Sequence, residues 1–274
     1  MTIGVLAHLM GRLPYKELAA KVASHDFKHV QLALWKAVSD IDFSAPGKLS
    51  PGLAMDIGEQ FDRQGVSISV LGCYLHMFHR DEEQRRIHIL RFKELLRHAR
   101  YMGAPIVAFE TGVNPSLDYT EQDWLVMKQV LEQLAEEAER WGVLIGIEAA
   151  NDHLIGTAEQ LASMLEEVPS SMLGVVMDAG NLLHEHNFSA RDQVMEEAFA
   201  LLGSRIIAAH AKDRIQRDDG VITTATAGKG MLNYELYMKL LNQYKPQVHL
   251  IMEVAEEQQM AETKAFLEQT RKWS

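Results

Sequence analysis

Eight short apolar runs, each followed by a stretch of helical periodicity, limit what this chain can fold into. The runs are TIGVLA, HVQLAL, VSISVLGCY, PIVAFETG, LIGIEAAN, LGVVMDAGN, the centre of SRIIAAHAKD, and HLIMEV. They are near-continuously apolar rather than alternating, which is how strands read when both faces of a parallel sheet are covered. Between them apolar residues recur at three- and four-residue steps, as in Phe92, Leu95, Leu96, Ala99 and Met102, or Leu161, Met164, Leu165 and Val168. Pro14, Pro51, Thr120, Thr157 and Asn233 stand where helices open, and Gly65, Gly103 and Gly142 where they stop. The stretches 39–50 and 214–230 read as loops. Eight strand–helix units with no break in composition predict one (β/α)8 TIM barrel over residues 1–274. The alternative, an open doubly wound sheet, calls for a glycine-rich phosphate loop after the first strand, and AHLMGRLP is not one.

Charge and cysteine usage narrow the partners. A net charge of −11 argues against a nucleic-acid surface, which needs a basic stripe. With one cysteine, Cys73, no intrachain disulfide can form, which fits a reducing compartment. The opening MTIGVLAHLMGR reads as a strand rather than a signal peptide. No apolar run approaches the ~18 residues of a membrane span. The expectation is a cytoplasmic protein without membrane or nucleic-acid partners, with homo-oligomerisation left open.

Four of the runs end in a side chain that can ligate a metal. They deliver Glu148, Asp178, His210 and Glu253, on the fifth to eighth strands. In a barrel the C-terminal strand ends share one mouth, so these four neighbours can meet. Any one alone reads as an ordinary cap or loop acceptor. Four in succession, three of them carboxylates that repel one another without a cation, point to one divalent metal ion. The oxygen-rich set suits Mn2+ first, with Mg2+, Co2+ or Zn2+ also able to occupy it.

The segments IEAAN, VMDAGN, HAKD and MEV resemble the sugar-phosphate isomerase/epimerase group of xylose-isomerase-like TIM barrels. That group includes ketose 3-epimerases, hydroxypyruvate isomerase and inosose dehydratases, with apurinic endonucleases as distant relatives. The resemblance covers nearly the whole chain. Its specific part is the order Glu–Asp–His–Glu, and AGKGMLNY is similar to the group's glycine-containing loop. The resemblance implies that Glu148, Asp178, His210 and Glu253 bind the metal. It also implies that Glu148 and Glu253 are catalytic, moving a proton on opposite faces of the carbon beside a carbonyl through a metal-stabilised enediolate. The implied substrate is a small sugar or sugar phosphate. Loss of a β-hydroxyl from the same intermediate would make the protein a dehydratase of a keto-inositol or related keto-sugar. Two further functions stay open, an endonuclease-like hydrolase and a non-catalytic sugar-binding barrel. Many relatives carry histidine where this chain has Asn181, which counts against the multi-zinc endonuclease branch.

Six further residues are candidate substrate contacts, each with a plainer reading. Lys212 follows His210 by two and points the same way along the strand; it either donates to substrate or pairs with a neighbouring acid. Asp213 touches substrate or orients His210 or the loop. Arg214 clamps a hydroxyl or phosphate or is solvated. His76 reaches substrate from a rim loop or is a plain surface histidine. Asn181 follows the sixth strand. Trp35 forms an apolar wall for a sugar face or belongs to the core. The Gly228-Lys229-Gly230 backbone approaches a phosphate or is a plain turn.

Overall fold

The computed structural model describes residues 1–273. The strands are β1 (Thr2–Leu6), β2 (His29–Leu32), β3 (Ser67–Gly72), β4 (Ile106–Glu110), β5 (Leu144–Glu148), β6 (Leu173–Met177), β7 (Ile206–Ala211), β8 (Asp213–Gln216), β9 (Ile222–Ala225) and β10 (His249–Met252). Among the described residues, eight of these form a closed parallel barrel in the order β1-β10-β7-β6-β5-β4-β3-β2. The seam is closed by Thr2 against His249 and Gly4 against Ile251. Around it lie α1 (Tyr15–Ser24), α2 (Leu34–Ala37), α3 (Pro51–Arg63), α4 (Glu82–Ala99), α5 (Glu121–Trp141), α6 (Ala158–Glu167), α7 (Arg191–Leu202), α8 (Tyr234–Tyr244) and α9 (Met260–Trp273). The expected barrel is the observed one. No helix among the described residues is long and apolar enough to cross a membrane.

Local chemistry sets the helix starts. Thr120 and Thr157 each accept a hydrogen bond from the third helical residue, while the side chains of Asp123 and Gln160 accept one from the cap residue's backbone N–H. Ser50 caps α3 ahead of Pro51. At the end of α5, Gly142 takes the left-handed conformation (φ 65°) that lets the chain turn into β5.

Two stretches differ from the sequence expectation. The second strand stops at Leu32, and Leu34–Ala37 forms a short helix instead of continuing it. The expected loop after the seventh strand contains the antiparallel hairpin β8–β9. Its turn carries Asp219-Gly220, with Gly220 at φ 86°, and an Asp-Gly pair between strand-forming residues is itself a hairpin signal.

The barrel interior is a separate small core of Leu6, Val70, Ile106, Ala108, Val176, Ala208 and Ile251. Side chains alternate along a strand, so the residue two places further on also faces inward, one layer nearer the mouth. From Leu6 that residue is His8, from Ala108 it is Glu110, from Val176 Asp178, from Ala208 His210 and from Ile251 Glu253. On β5 the inward residue below Glu148 is Gly146, where a Cβ would come within 2.7 Å of Val176 Cγ2. The apolar layer thus forms the floor under a polar one.

Candidate metal centre

Glu148, Asp178, His210 and Glu253 come together, each offering a ligand atom within 4.8 Å of the others. His210 Nδ1 lies 3.1 Å from Glu148 Oε1, 3.5 Å from Glu253 Oε2 and 4.0 Å from Asp178 Oδ2. Glu148, Asp178 and His210 are buried, and Glu253 is the most open of the four, its side chain 16% exposed. Asp178 Oδ2 and Glu253 Oε2 are buried with no hydrogen-bond partner. Their nearest cation is the single Lys212 ammonium, which leaves the three buried carboxylates with excess negative charge that is costly in the interior and that a divalent cation would balance. The donor set and its excess of buried negative charge fit such an ion.

The charges are tightly linked. Burial opposes ionisation of His210, but Glu148 and Glu253 hold its pKa well above the ordinary histidine value. Burial pushes Asp178 well up, with Glu253 and Glu148 adding to the rise and Lys212 opposing it. Glu253 is held well below its usual value despite burial, because Lys212 and His210 stand beside it. Lys212 is buried, with Nζ 2.9 Å from Glu253 Oε2 and 3.3 Å from Asp178 Oδ2. It therefore pairs with neighbouring acids.

The remaining expected contacts fall in different places. Asn181 is buried; its Nδ2 donates to Glu148 Oε1 at 2.7 Å and its backbone N–H to Asp178 Oδ1 at 3.0 Å. It orients two of the candidate ligands. Asp213 faces the loop rather than the mouth. Its oxygens accept from the backbone N–H groups of Arg214, Leu232, Gly228 and Gly230 at 2.8–3.0 Å, which takes up its lone pairs. Arg214 donates from Nε to the Gly180 carbonyl and from Nη1 to Thr224. His76 lies at the rim, packed so closely on Gly112 that a Cβ there would come within 2.4 Å of its ring. Trp35 is placed away from the site: the Arg91 guanidinium of α4 covers its ring at 4.6 Å, among Leu34, Phe43 and Leu49. The next residue, Lys36, turns toward the mouth instead.

Several site residues were not singled out by the sequence. Gln31 on β2 accepts from His210 Nε2 at 2.9 Å and donates from its own Nε2 to the Tyr74 hydroxyl at 2.7 Å. The Tyr237 hydroxyl lies 2.9 Å from the carbonyl oxygens of Met177 and His210, joining β6 to β7 below the ligands. Glu110 ends β4, directly in register with Glu148. Its position was visible as one more acid closing an apolar run.

A family model described as xylose isomerase-like TIM barrel matches residues 19–270. A probable L-ribulose-5-phosphate 3-epimerase, UlaE, of Mycoplasma pneumoniae is 23% identical over 168 residues. That match takes in 60% of this chain and about half, 51%, of the relative's length. A solved D-tagatose 3-epimerase-like protein superposes with a TM-score of 0.79 at 21% identity, covering 100% of this chain and 98% of that one. The IOLI protein, solved with a bound zinc atom, gives 0.76 at 18% identity, covering 98% and 96%. At these identities the likeness to the solved structures is one of fold.

Proposed function

Since the chain belongs to the xylose isomerase-like TIM barrel family, we propose that it is a divalent-metal-dependent isomerase or epimerase of a small keto-sugar. The observation that carries this is the placement of Glu148 and Glu253. They stand on β5 and just beyond β10, separated in the barrel by β6 and β7, and both reach the same His210 nitrogen. Each is held by a different neighbour, Glu148 by the Asn181 amide and Glu253 by the Lys212 ammonium. Two carboxylates oriented independently around one centre suit a proton taken from one face of a carbon and returned to the other.

Glu148, Asp178, His210 and Glu253 would hold the ion, and the carboxylate-rich set favours Mn2+. A divalent ion there supplies Lewis-acid polarisation of a carbonyl, which acidifies the neighbouring C–H. Asn181 keeps one Glu148 oxygen engaged and so fixes which way the other points. Lys212 keeps Glu253 ionised and ready to accept a proton. The apolar floor of Val176, Ala208 and Ile251 closes the bottom of the site to water. The epimerase names of the UlaE relative and the tagatose-epimerase-like structure agree with this chemistry.

The experiment is turnover in D2O with Mn2+ and a panel of ketoses, keto-inositols and 3-keto-glycosides. Deuterium should enter the carbon beside the carbonyl without net loss of water, and Glu148→Gln and Glu253→Gln should each abolish entry. Exchange that survives both substitutions would overturn the proposal. Water released at every turnover would instead identify a dehydratase.

A further inference from the structure

The four candidate ligands occupy one half of the mouth, at the ends of β5, β6, β7 and β10. The other half carries three polar side chains the metal cluster does not use. His8, in the turn after β1, has its Nδ1 buried without a hydrogen-bond partner, and its ring stands edge-on to Tyr74 at 6.2 Å. Lys36, on α2, holds its ammonium 3.7 Å from the centre of the Tyr74 ring. Among the described residues that ammonium makes no hydrogen bond and no ion pair. The carboxyl group of Glu110, at the end of β4, is likewise without hydrogen bond or ion pair. Tyr74 and Gln31 link this half to the other through the hydrogen bonds that end on His210. The three groups share the electrostatics of the centre: the Glu253 charge acts on His8, Lys36 and Glu110 alike.

Of these groups His8 Nδ1 is withdrawn from water, and a buried polar atom left unpaired is costly until something pairs with it; the half-buried Glu110 carboxyl and the exposed Lys36 ammonium are open to a ligand in the mouth. Lys36 can only donate, an ionised Glu110 can only accept, and a neutral imidazole does one at each nitrogen. Burial and the nearby Lys36 charge hold His8 at about 4, so it is neutral near pH 7. A sugar hydroxyl both donates and accepts, and a row of them suits this mixture.

A phosphate suits it poorly. Barrels of this class often bind phosphate through backbone N–H groups in the loops after the last two strands. Here the N–H groups of Gly228 and Gly230 are both donated to Asp213 Oδ2 at 3.0 Å. Lys229 is paired with Glu262, and Arg214 is bonded to Gly180 and Thr224. Lys36 shares its half of the mouth with Glu110, which repels a phosphate dianion whenever it is ionised.

We propose that His8, Lys36 and Glu110 form a subsite that binds the hydroxyl groups of an uncharged polyhydroxylated substrate, at the end remote from the metal centre, and disfavours its phosphate esters. This rests on the keto-sugar reading above and specifies the substrate class for the same site.

The test is calorimetric titration of the Mn2+-loaded protein. The neutral probes are D-tagatose, D-fructose and L-ribulose, and the esters are D-tagatose 6-phosphate, D-fructose 6-phosphate and L-ribulose 5-phosphate. Dihydroxyacetone, too short to extend past the metal, is the control. At least one neutral ketose should bind about tenfold or more tighter than its ester. Glu110→Gln and Lys36→Met should each weaken that ketose by about tenfold or more, while Mn2+ affinity and dihydroxyacetone binding change little. An ester bound more tightly than its parent, or no ketose bound at all, would overturn the subsite. So would ketose binding that is unchanged in both variants, or dihydroxyacetone binding weakened as much as ketose binding. Ketose binding with this pattern but no deuterium exchange would overturn the proposed reaction and leave the subsite standing.

Discussion

His210 turns Nε2 to Oε1 of Gln31 at 2.9 Å and Nδ1 to Oε1 of Glu148 at 3.1 Å. Gln31 in turn donates to the Tyr74 hydroxyl, which assigns its oxygen to the histidine. With Nε2 donating to Gln31, Nδ1 is the nitrogen that would give up its proton to an ion held by the other three candidate ligands. A group that fixes the tautomer and tilt of a ligating histidine typically matters to metal affinity by roughly ten- to a hundredfold. Gln31→Leu should therefore weaken Mn2+ binding by about that factor while the circular dichroism stays that of a folded barrel. Unchanged affinity by metal titration would show that Gln31 does not set the histidine.

Asn181 acts on a second candidate ligand, Glu148. Its amide donates to Glu148 Oε1 at 2.7 Å inside a buried site. A hydrogen bond to a charged group contributes roughly 1.5–3 kcal/mol. Asn181→Leu should lower kcat, on whichever ketose of the panel is turned over, by about ten- to a hundredfold, with KM changed far less. Steady-state kinetics showing kcat within twofold of the parent would remove Asn181 from the support of Glu148.

The placement of Glu110 gives the metal-free protein a pH signature. Its carboxyl is raised from 4.5 to about 7, first by burial and then by the charges of Glu148 and Glu253. A group whose folded value lies above its unfolded one stabilises the fold below the unfolded value, and that stability is lost as pH rises to the folded one. The window is thus pH 4.5 to about 7. Glu110→Gln removes the ionised form, so the metal-free variant should be more stable than the parent at pH 8, by at most roughly 3 kcal/mol. The gain should vanish below pH 4.5, where the parent's carboxyl is protonated in both states. Thermal unfolding of metal-free protein across this range checks it, and a gain that is independent of pH would contradict the assignment.

Asp213 should behave as a loop support. Replacing it with alanine leaves four backbone N–H groups without their acceptor. The expected loss is roughly 2–4 kcal/mol of stability by denaturant unfolding, with Mn2+ affinity retained. A stable variant with weakened sugar binding would instead place Asp213 against substrate.

What could be read in the chain follows from what makes a strand end conspicuous. Glu148, Asp178, His210 and Glu253 each close an apolar run, and the inward phase of the pleat carries that pattern straight into the mouth. Glu110 closes PIVAFETG in the same way and, on β4 beside Glu148 of β5, extends the series by one strand, whereas β1 to β3 bring no carboxylate to the mouth. Gln31 sits alone in HVQLAL, and a single polar residue in a strand says nothing of what lies across the barrel. His8 and Lys36 reach the site from a short 3-10 turn and a one-turn helix, elements too brief to leave a period. Trp35 and Lys36 are adjacent, and only the helical turn at Leu34–Ala37 decides which of them faces the mouth. The β8–β9 hairpin was signalled by Asp219-Gly220 but lay within a polar stretch that resembles a loop.

The central claim is that four strand ends hold one divalent ion. Metal content and Mn2+ affinity, measured on the parent protein and on Asp178→Ala and His210→Ala, test it most directly. The account predicts one ion per chain in the parent, and loss of binding in both variants with the barrel still folded by circular dichroism. Stoichiometric metal retained in both variants, or more than one tightly held zinc per chain in the parent, would contradict it.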